Sequence, residues 1–408
     1  MFPDASVALL AAAAMVLILL LVRARTPVGV SILAGGLLIW FVRSADPGLL
    51  IASARRAAFA PKNWDLLAAL FAVMAIEGEL QGARVVDAMV RALQGLFRST
   101  RLTLAVMPAF VGLLPSAGGA RFSAPIVDTA TRGLGVSGEE KAAINFWFRH
   151  VFENVRPIAP GLILACAIAR VAVTDTILHL IWVPVIFTAA GWLVMLRPVA
   201  AKDSEAPRVP LSRSVLLEAG LAVLPIAASF ALMLGSPLGA GLSIGIVAVA
   251  MIPVLRLAGK PVSLKAVLKE ACDAKLFLSV ASILYFIELV SGTGVLSEIA
   301  QKILEAPMPL PALLFAIGFV PGLVLGMTPG YVGAAMPIAA ALFPEGSVWA
   351  AGYVLTGGML GIMLTPTHLC LTVTLAYFKA DLLKTLWPCA KAAALFLVLF
   401  SLLAWILW

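Results

Sequence analysis

The chain has 408 residues, 62% of them hydrophobic and 12% charged, with a formal net charge of +8. Soluble domains lie nearer half apolar and a quarter charged, and a soluble fold of this length could not bury so much apolar side chain, so a purely water-solvated protein is excluded. The surplus of Lys and Arg then reads as charge retained in cytoplasmic loops, not as a nucleic-acid footprint.

A membrane span needs about 20 mostly apolar residues. The first run, Val7 to Val22, has no basic segment before it and no small-residue cleavage site after it, and reads as a retained span. In chain order the predicted spans are Ser6–Val22, Pro27–Val42, Trp64–Leu80, Ala142–Ala169, Thr176–Leu196, Val215–Leu234, Leu238–Leu255, Lys275–Val290, Val348–Phe378 and Thr385–Leu407. Two further apolar regions, 102–130 and 310–343, are interrupted by LPSAGGARFSAP (Leu114–Pro125) and GMTPGYVGAAMP (Gly326–Pro337). Gly and Pro at that density stop a helix. Unpaired backbone at membrane depth survives only inside protein or beside water. Each region is therefore expected to be a re-entrant hairpin of two half-helices, with a single kinked span as the alternative.

The polar stretch Arg197–Ser214 divides the chain nearly in half. Each half carries three spans, a short amphipathic helix, a Gly/Pro-broken hairpin, a long span broken at proline and a last span. Glu79-Leu80 followed by Val85–Leu93 resembles Glu288-Leu289 followed by Val295–Leu304, and Glu153–Leu164 resembles Ile362–Val373, with Pro157 matching Pro366. The expected organisation is two repeats, 1–196 and 215–408, joined by a cytoplasmic linker at 197–214. Internal symmetry of this kind marks secondary transporters.

Five full spans per half make the second half enter inverted. With the linker cytoplasmic, Arg23, Arg25, Arg84, Arg91, Arg98, Arg101, Arg256, Lys260, Lys265, Lys269, Lys379 and Lys384 fall inside, as positive charge should. Arg43, Arg55, Arg56 and Lys62 fall outside and break the rule. Both termini are expected outside, in a multi-pass plasma-membrane protein; the flipped molecule is the alternative.

Broken helices place free amides and carbonyls near the bilayer midplane, where helix N-termini favour anions and unwound carbonyls favour cations. The first hairpin tip offers Ser116, Gly118, Gly119, Arg121 and Ser123; the second offers Thr328, Pro329 and Tyr331. The broken spans offer Glu153, Asn154 and Arg156, then Thr365, Thr367 and His368. The candidate solute ligands are Ser116, Gly118, Gly119, Arg121, Asn154, Arg156, Thr328, Thr365, Thr367 and His368. The candidate coupling-ion ligands are Ser116, Asn154, Thr328, Thr365, Glu153 and His368. Charge inside an apolar span is costly and usually functional. Helical spacing would put Arg149 and Glu153 on one face as an i,i+4 pair, leaving Arg156 for solute; side chains snorkelling to the interface are the other reading. Glu79 and Glu288 are either helix caps or proton carriers, and Arg121 either meets an anion or pairs with Asp128. His179, near a span end, has no chemical role in this reading. Cys166, Cys272, Cys370 and Cys389 show neither a CxxC nor a Cys/His cluster, so neither a zinc site nor a disulfide framework is expected. No Walker A, GxSxG, HExxH or GxGxxG motif is present, which leaves ATP hydrolysis and familiar hydrolases unsupported.

The runs Leu114–Asp128, Asn145–Leu164 and Thr365–Leu382 resemble the integral membrane family called domain of unknown function 401. That family is grouped with the ion transporter superfamily of citrate, dicarboxylate, gluconate-type, arsenite and sodium/proton carriers. The resemblance implies an all-α fold of two inverted repeats, each with a scaffold part and a transport part, working as a dimer by an elevator motion. Dicarboxylate carriers bind carboxylate and sodium through Ser-Asn-Thr motifs, which are incomplete here: Ser116, Asn154, Thr328, Thr365 and Thr367 remain. The expected function is therefore secondary transport of a small carboxylate-like anion coupled to sodium or protons, without an organic cofactor. A cation/proton antiporter, and a lipid-handling or non-transporting membrane protein, are the alternatives.

Overall fold

The structure is a computed structural model in which residues 6–85, 89, 99–113, 120–199 and 213–407 are described, and all elements among them are helices. The first half gives α1 Val7–Arg23, α2 Val28–Arg43, α3 Pro47–Phe59, α4 Pro61–Gly82, α5 Thr100–Leu113, α6 Ala120–Ala130, α7 Gly138–Arg149, α8 Pro160–Ala169, α9 Val173–Leu180 and α10 Val183–Leu196. The second gives α11 Arg213–Gly235, α12 Ala240–Leu257, α13 Leu264–Ala271, α14 Ala274–Gly292, α15 Val295–Leu304, α16 Leu310–Leu325, α17 Thr328–Leu342, α18 Val348–Leu364, α19 Leu369–Phe378 and α20 Leu382–Leu407. Among the described residues, five helices are long and apolar enough to cross a bilayer, or up to seven if each bent pair is one span. Leu257, Trp405 and Val249 stand 89%, 86% and 70% exposed, as side chains facing lipid would.

Local chemistry sets the helix ends. Asp46, Ser137, Asp273 and Ser347 accept hydrogen bonds from backbone amides two or three residues on, satisfying orphan donors of the first turn. Proline opens α3, α4 and α8, where its missing N–H costs nothing. Two expectations shift. The span expected from Thr176 divides into α9 and α10 around Trp182, with Pro184 in the first turn of α10. α3, unassigned from sequence, leads into α4 through a 55° bend. Of the amphipathic pair, α15 is present, whereas 86–93 lies outside the described residues except Met89.

Packing between the halves comes in exchanged pairs. α4 packs on α12 and α13, and α14 packs on α2 and α3. α8 lies against α17, and α6 lies against α19. Glycines permit the approach at matching places: a Cβ at Gly29, second residue of α2, would overlap Ser279 of α14, and one at Gly241, second residue of α12, would overlap Asp65 of α4. α8 and α19 both end on a left-handed residue, Arg170 (φ 57°) and Lys379 (φ 51°). α1–α4 gather with α11–α14, and α5–α10 with α16–α20, while α15 lies against both α14 and α17. A cleft lined by Lys62, Arg170, Glu288, Ser291 and Pro337 opens between α4, α8, α14 and α17.

Two of the four charges that break the positive-inside pattern have acidic partners in the other half. Arg43 is ion-paired with Glu298, and Arg56 Nε donates to Glu288 at 3.0 Å. Arg56 is 47% exposed at its side chain, so the pair is partly screened. A double-mutant cycle on Arg56→Ala and Glu288→Ala, read by thermal unfolding in detergent, is expected to give a coupling of about 0.5–1 kcal/mol. Zero coupling would count against this account. Glu288 is thereby engaged away from the helix breaks, although it was a candidate cap or proton carrier.

Candidate functional site at the helix breaks

The first broken span stops at Arg149, and residues 150–159 run as successive turns, closed by bonds such as Glu153 N–H to His150 O (3.1 Å) and Val155 N–H to Phe152 O (3.1 Å). α8 then starts at Pro160. The second broken span stops at Leu364 and restarts at Leu369; Pro366 between them has no N–H to continue the ladder. There Thr365 and Thr367 share a hydroxyl–hydroxyl hydrogen bond of 2.9 Å. The second hairpin turns at Gly326, whose φ of +66° suits glycine, and α17 restarts at Thr328. A Cβ on Gly326 would overlap the Thr367 hydroxyl, so the hairpin tip and the second break are in direct contact.

The tertiary fold then joins breaks from opposite halves. Thr328 Oγ1 donates to Glu153 Oε1 at 2.8 Å. The α8 N-terminus sits beside the α17 N-terminus, because a Cβ on Gly161 would overlap the Thr328 side chain. Two helix N-termini thus lie side by side, and a helix N-terminus favours negative charge. The His150 and His368 Nε2 atoms lie 3.1 Å apart, and their Nδ1 atoms lie 2.7 Å from Phe146 O and 2.8 Å from Gly326 O. Asn145 Nδ2 reaches Thr374 Oγ1 of α19 at 3.1 Å. Arg156 Nη1 donates to Gly112 O of α5 at 2.7 Å, and its charged neighbours include Glu153, Arg149 and Glu77.

The predicted site residues fall into three groups. Thr328, Thr365, Thr367 and His368 converge with Glu153, and Arg156 stands on the same break between α7 and α8. Asn154 is 3% exposed, with no hydrogen-bond partner for Nδ2 among the described residues. Ser116, Gly118 and Gly119 lie outside the described residues; Arg121 is in α6, its side chain not described. The i,i+4 pairing of Arg149 with Glu153 is corrected: helix α7 ends at Arg149, so the two do not share a helical face, and Glu153 bonds to Thr328 instead. Asp128, the expected alternative partner of Arg121, is bonded to Lys141 at 2.8 Å. Sequence reading passed over His150 as a partner of His368, because 218 residues separate them.

The chain is a bundle of apolar helices broken inside the protein, and its fold matches that of a solved membrane transporter. It is similar to the crystal structure of the YdaH transporter of Alcanivorax borkumensis, described as revealing an unusual topology, with a TM-score of 0.59 at 16% identity, covering 88% of this chain and 86% of that one. The chain belongs to the family described as protein of unknown function DUF401, whose model matches residues 5–408. No curated protein matches the chain in sequence.

Proposed function

We propose that the chain is a secondary transporter of a small carboxylate-like anion, coupled to a sodium or proton gradient and not an enzyme. The observation that carries this reading is the junction of the two broken spans with the second hairpin tip, held by the Thr328–Glu153 bond, on a break that also carries Asn154, whose Nδ2 has no hydrogen-bond partner among the described residues. Adjacent helix N-termini and Arg156 supply the positive field an anion needs. Glu153, Thr365 and Thr367 supply the oxygens a coupling cation needs. Ser116, Gly118, Gly119 and Arg121 belong to the tip expected to complete the site.

The exchanged packing pairs support two inverted repeats, 1–196 and 215–408, since a contact between the halves recurs with the roles of the halves swapped. In this reading α1–α4 with α11–α15 form the scaffold, and α5–α10 with α16–α20 form the moving body. The cleft between them is the plane along which an elevator slides. The scaffold faces would meet in a homodimer, in the plasma membrane with both termini outside. Purified protein in proteoliposomes is expected to take up at least one anion from a carboxylate panel faster under an inward sodium or proton gradient. Absence of gradient-driven flux across the panel would sink the proposal. Glu79, 1% exposed with no hydrogen-bond partner for Oε2 among the described residues, favours the cation/proton antiporter as the second reading. Proton movement on adding sodium without any anion would select it.

A further inference from the structure

The two histidines that join the broken spans carry a consequence that anion transport does not require. A backbone carbonyl oxygen can only accept, so Nδ1 of His150 and of His368 must each be the donor toward Phe146 O and Gly326 O. That fixes the tautomer of both rings. In neutral rings both Nε2 atoms are then bare lone pairs, and they face each other at 3.1 Å. Two lone pairs at that separation repel unless a cation sits between them.

A third donor completes the arrangement. Cys370 lies in the first turn of α19, and the His150, His368 and Cys370 ligand atoms all lie within 4.8 Å of one another. We propose that these three residues form a binding site for a thiophilic transition-metal ion of the Zn2+ class. A tetrahedral ion with bonds of about 2.0 Å to nitrogen and 2.3 Å to sulfur sets its ligands roughly 3.3–3.6 Å apart. The histidine nitrogens, 3.1 Å apart, are already near that spacing, and the cysteine sulfur lies within 4.8 Å of both. Imidazole and thiolate are the donor set such ions select over sodium, calcium or magnesium. The carbonyl partners on both Nδ1 atoms are the outer shell that metal-binding histidines use to hold ring orientation. Phe146 packs on both rings, with centroids 5.0 and 5.3 Å away, and leaves them little freedom to turn. Binding releases the thiol proton, so one proton leaves as one metal–sulfur bond forms. Three protein ligands leave one coordination position open. His150 comes from the first broken span and the other two ligands from the second, so the ion would tie the two halves together at their breaks.

The test uses the full chain in detergent, stripped with a chelator, reloaded with Zn2+ and desalted. Elemental analysis is expected to find close to one ion per chain, and thermal unfolding is expected to move upward with Zn2+ concentration, as binding to the folded state requires. Cys370→Ser and His368→Ala are each expected to weaken the Zn2+ response at least tenfold, while Cys272→Ser, at an exposed thiol, leaves it unchanged. Should His368→Ala fail to fold, Cys370→Ser and the cobalt–thiolate absorption of the Co2+-loaded wild type decide the matter. Sub-stoichiometric metal, or stoichiometric metal indifferent to Cys370→Ser, would overturn the proposal. So would stability that responds to pH but not to Zn2+, which would mean that the two rings share a proton instead. None of these readouts needs a transport substrate, so the site stands or falls separately from the transport reading.

Discussion

Glu153→Gln is expected to leave the protein folded and to cut gradient-driven anion uptake at least tenfold. Glutamine keeps the shape of the side chain and can still accept from Thr328 Oγ1, which donates to Glu153 at 2.8 Å, but it removes the charge. A hydrogen bond to a charged group is worth about 1.5–3 kcal/mol, and each 1.4 kcal/mol is a factor of ten. The same substitution removes a carboxylate charge that acts on Arg156 and His150, which alters the field at a junction where two helix N-termini lie side by side. Thr328→Val is the companion variant. It removes one donor and leaves the charge, so its effect on uptake is expected to be smaller. Uptake in proteoliposomes at matched protein orientation, with thermal unfolding as the check on folding, measures both. Wild-type flux from Glu153→Gln would remove Glu153 from the coupling role.

The second large effect is structural. Gly322→Val is expected to abolish a monodisperse folded protein in detergent. α16 and α18 touch backbone to backbone: a Cβ added at Gly318, Gly322, Gly357 or Gly361 would overlap a carbonyl of the opposite helix, those of Val354, Gly358, Phe315 and Phe319 respectively. Close approach through small residues is how helices pack where lipid offers no hydrophobic incentive to associate. Ordinary overpacking costs about 1–3 kcal/mol because side chains can move; here the obstacle is main chain, and the cost exceeds that range. Gly220→Ala in α11 is the control, since nothing lies within 4 Å of its added Cβ; it should stabilise the helix by about 0.5–1 kcal/mol. Size-exclusion profiles and thermal unfolding of the two variants separate the seam from a general intolerance of larger residues. A well-folded Gly322→Val would show that α16 and α18 can part.

Much of the fold was readable because membrane helices announce themselves locally. The hydrophobic runs, the proline at 366 and the glycine at 326 each act on their own few residues, so their positions fix where helices stop without reference to the rest of the chain. The helix breaks at Gly326 and Pro366 fall where that chemistry put them, while Gly330, Gly333 and Pro337 lie inside a continuous α17. Errors arose where a local pattern met a distant constraint. Arg149 and Glu153 have helical spacing, yet the helix ends between them. Arg43 and Arg56 violate the loop-charge rule, yet Glu298 and Glu288 of the other half meet them.

What the amino-acid order determined alone is the solvent of the protein and the breaks at Gly326 and Pro366, since apolar period, proline and glycine act over a turn or two. What tertiary structure decided is which breaks meet. Thr328 finds Glu153 across 175 residues, and His150 finds His368 across 218. No short-range preference encodes such pairs, because they exist only once close-packed helices have carried distant segments to the same point.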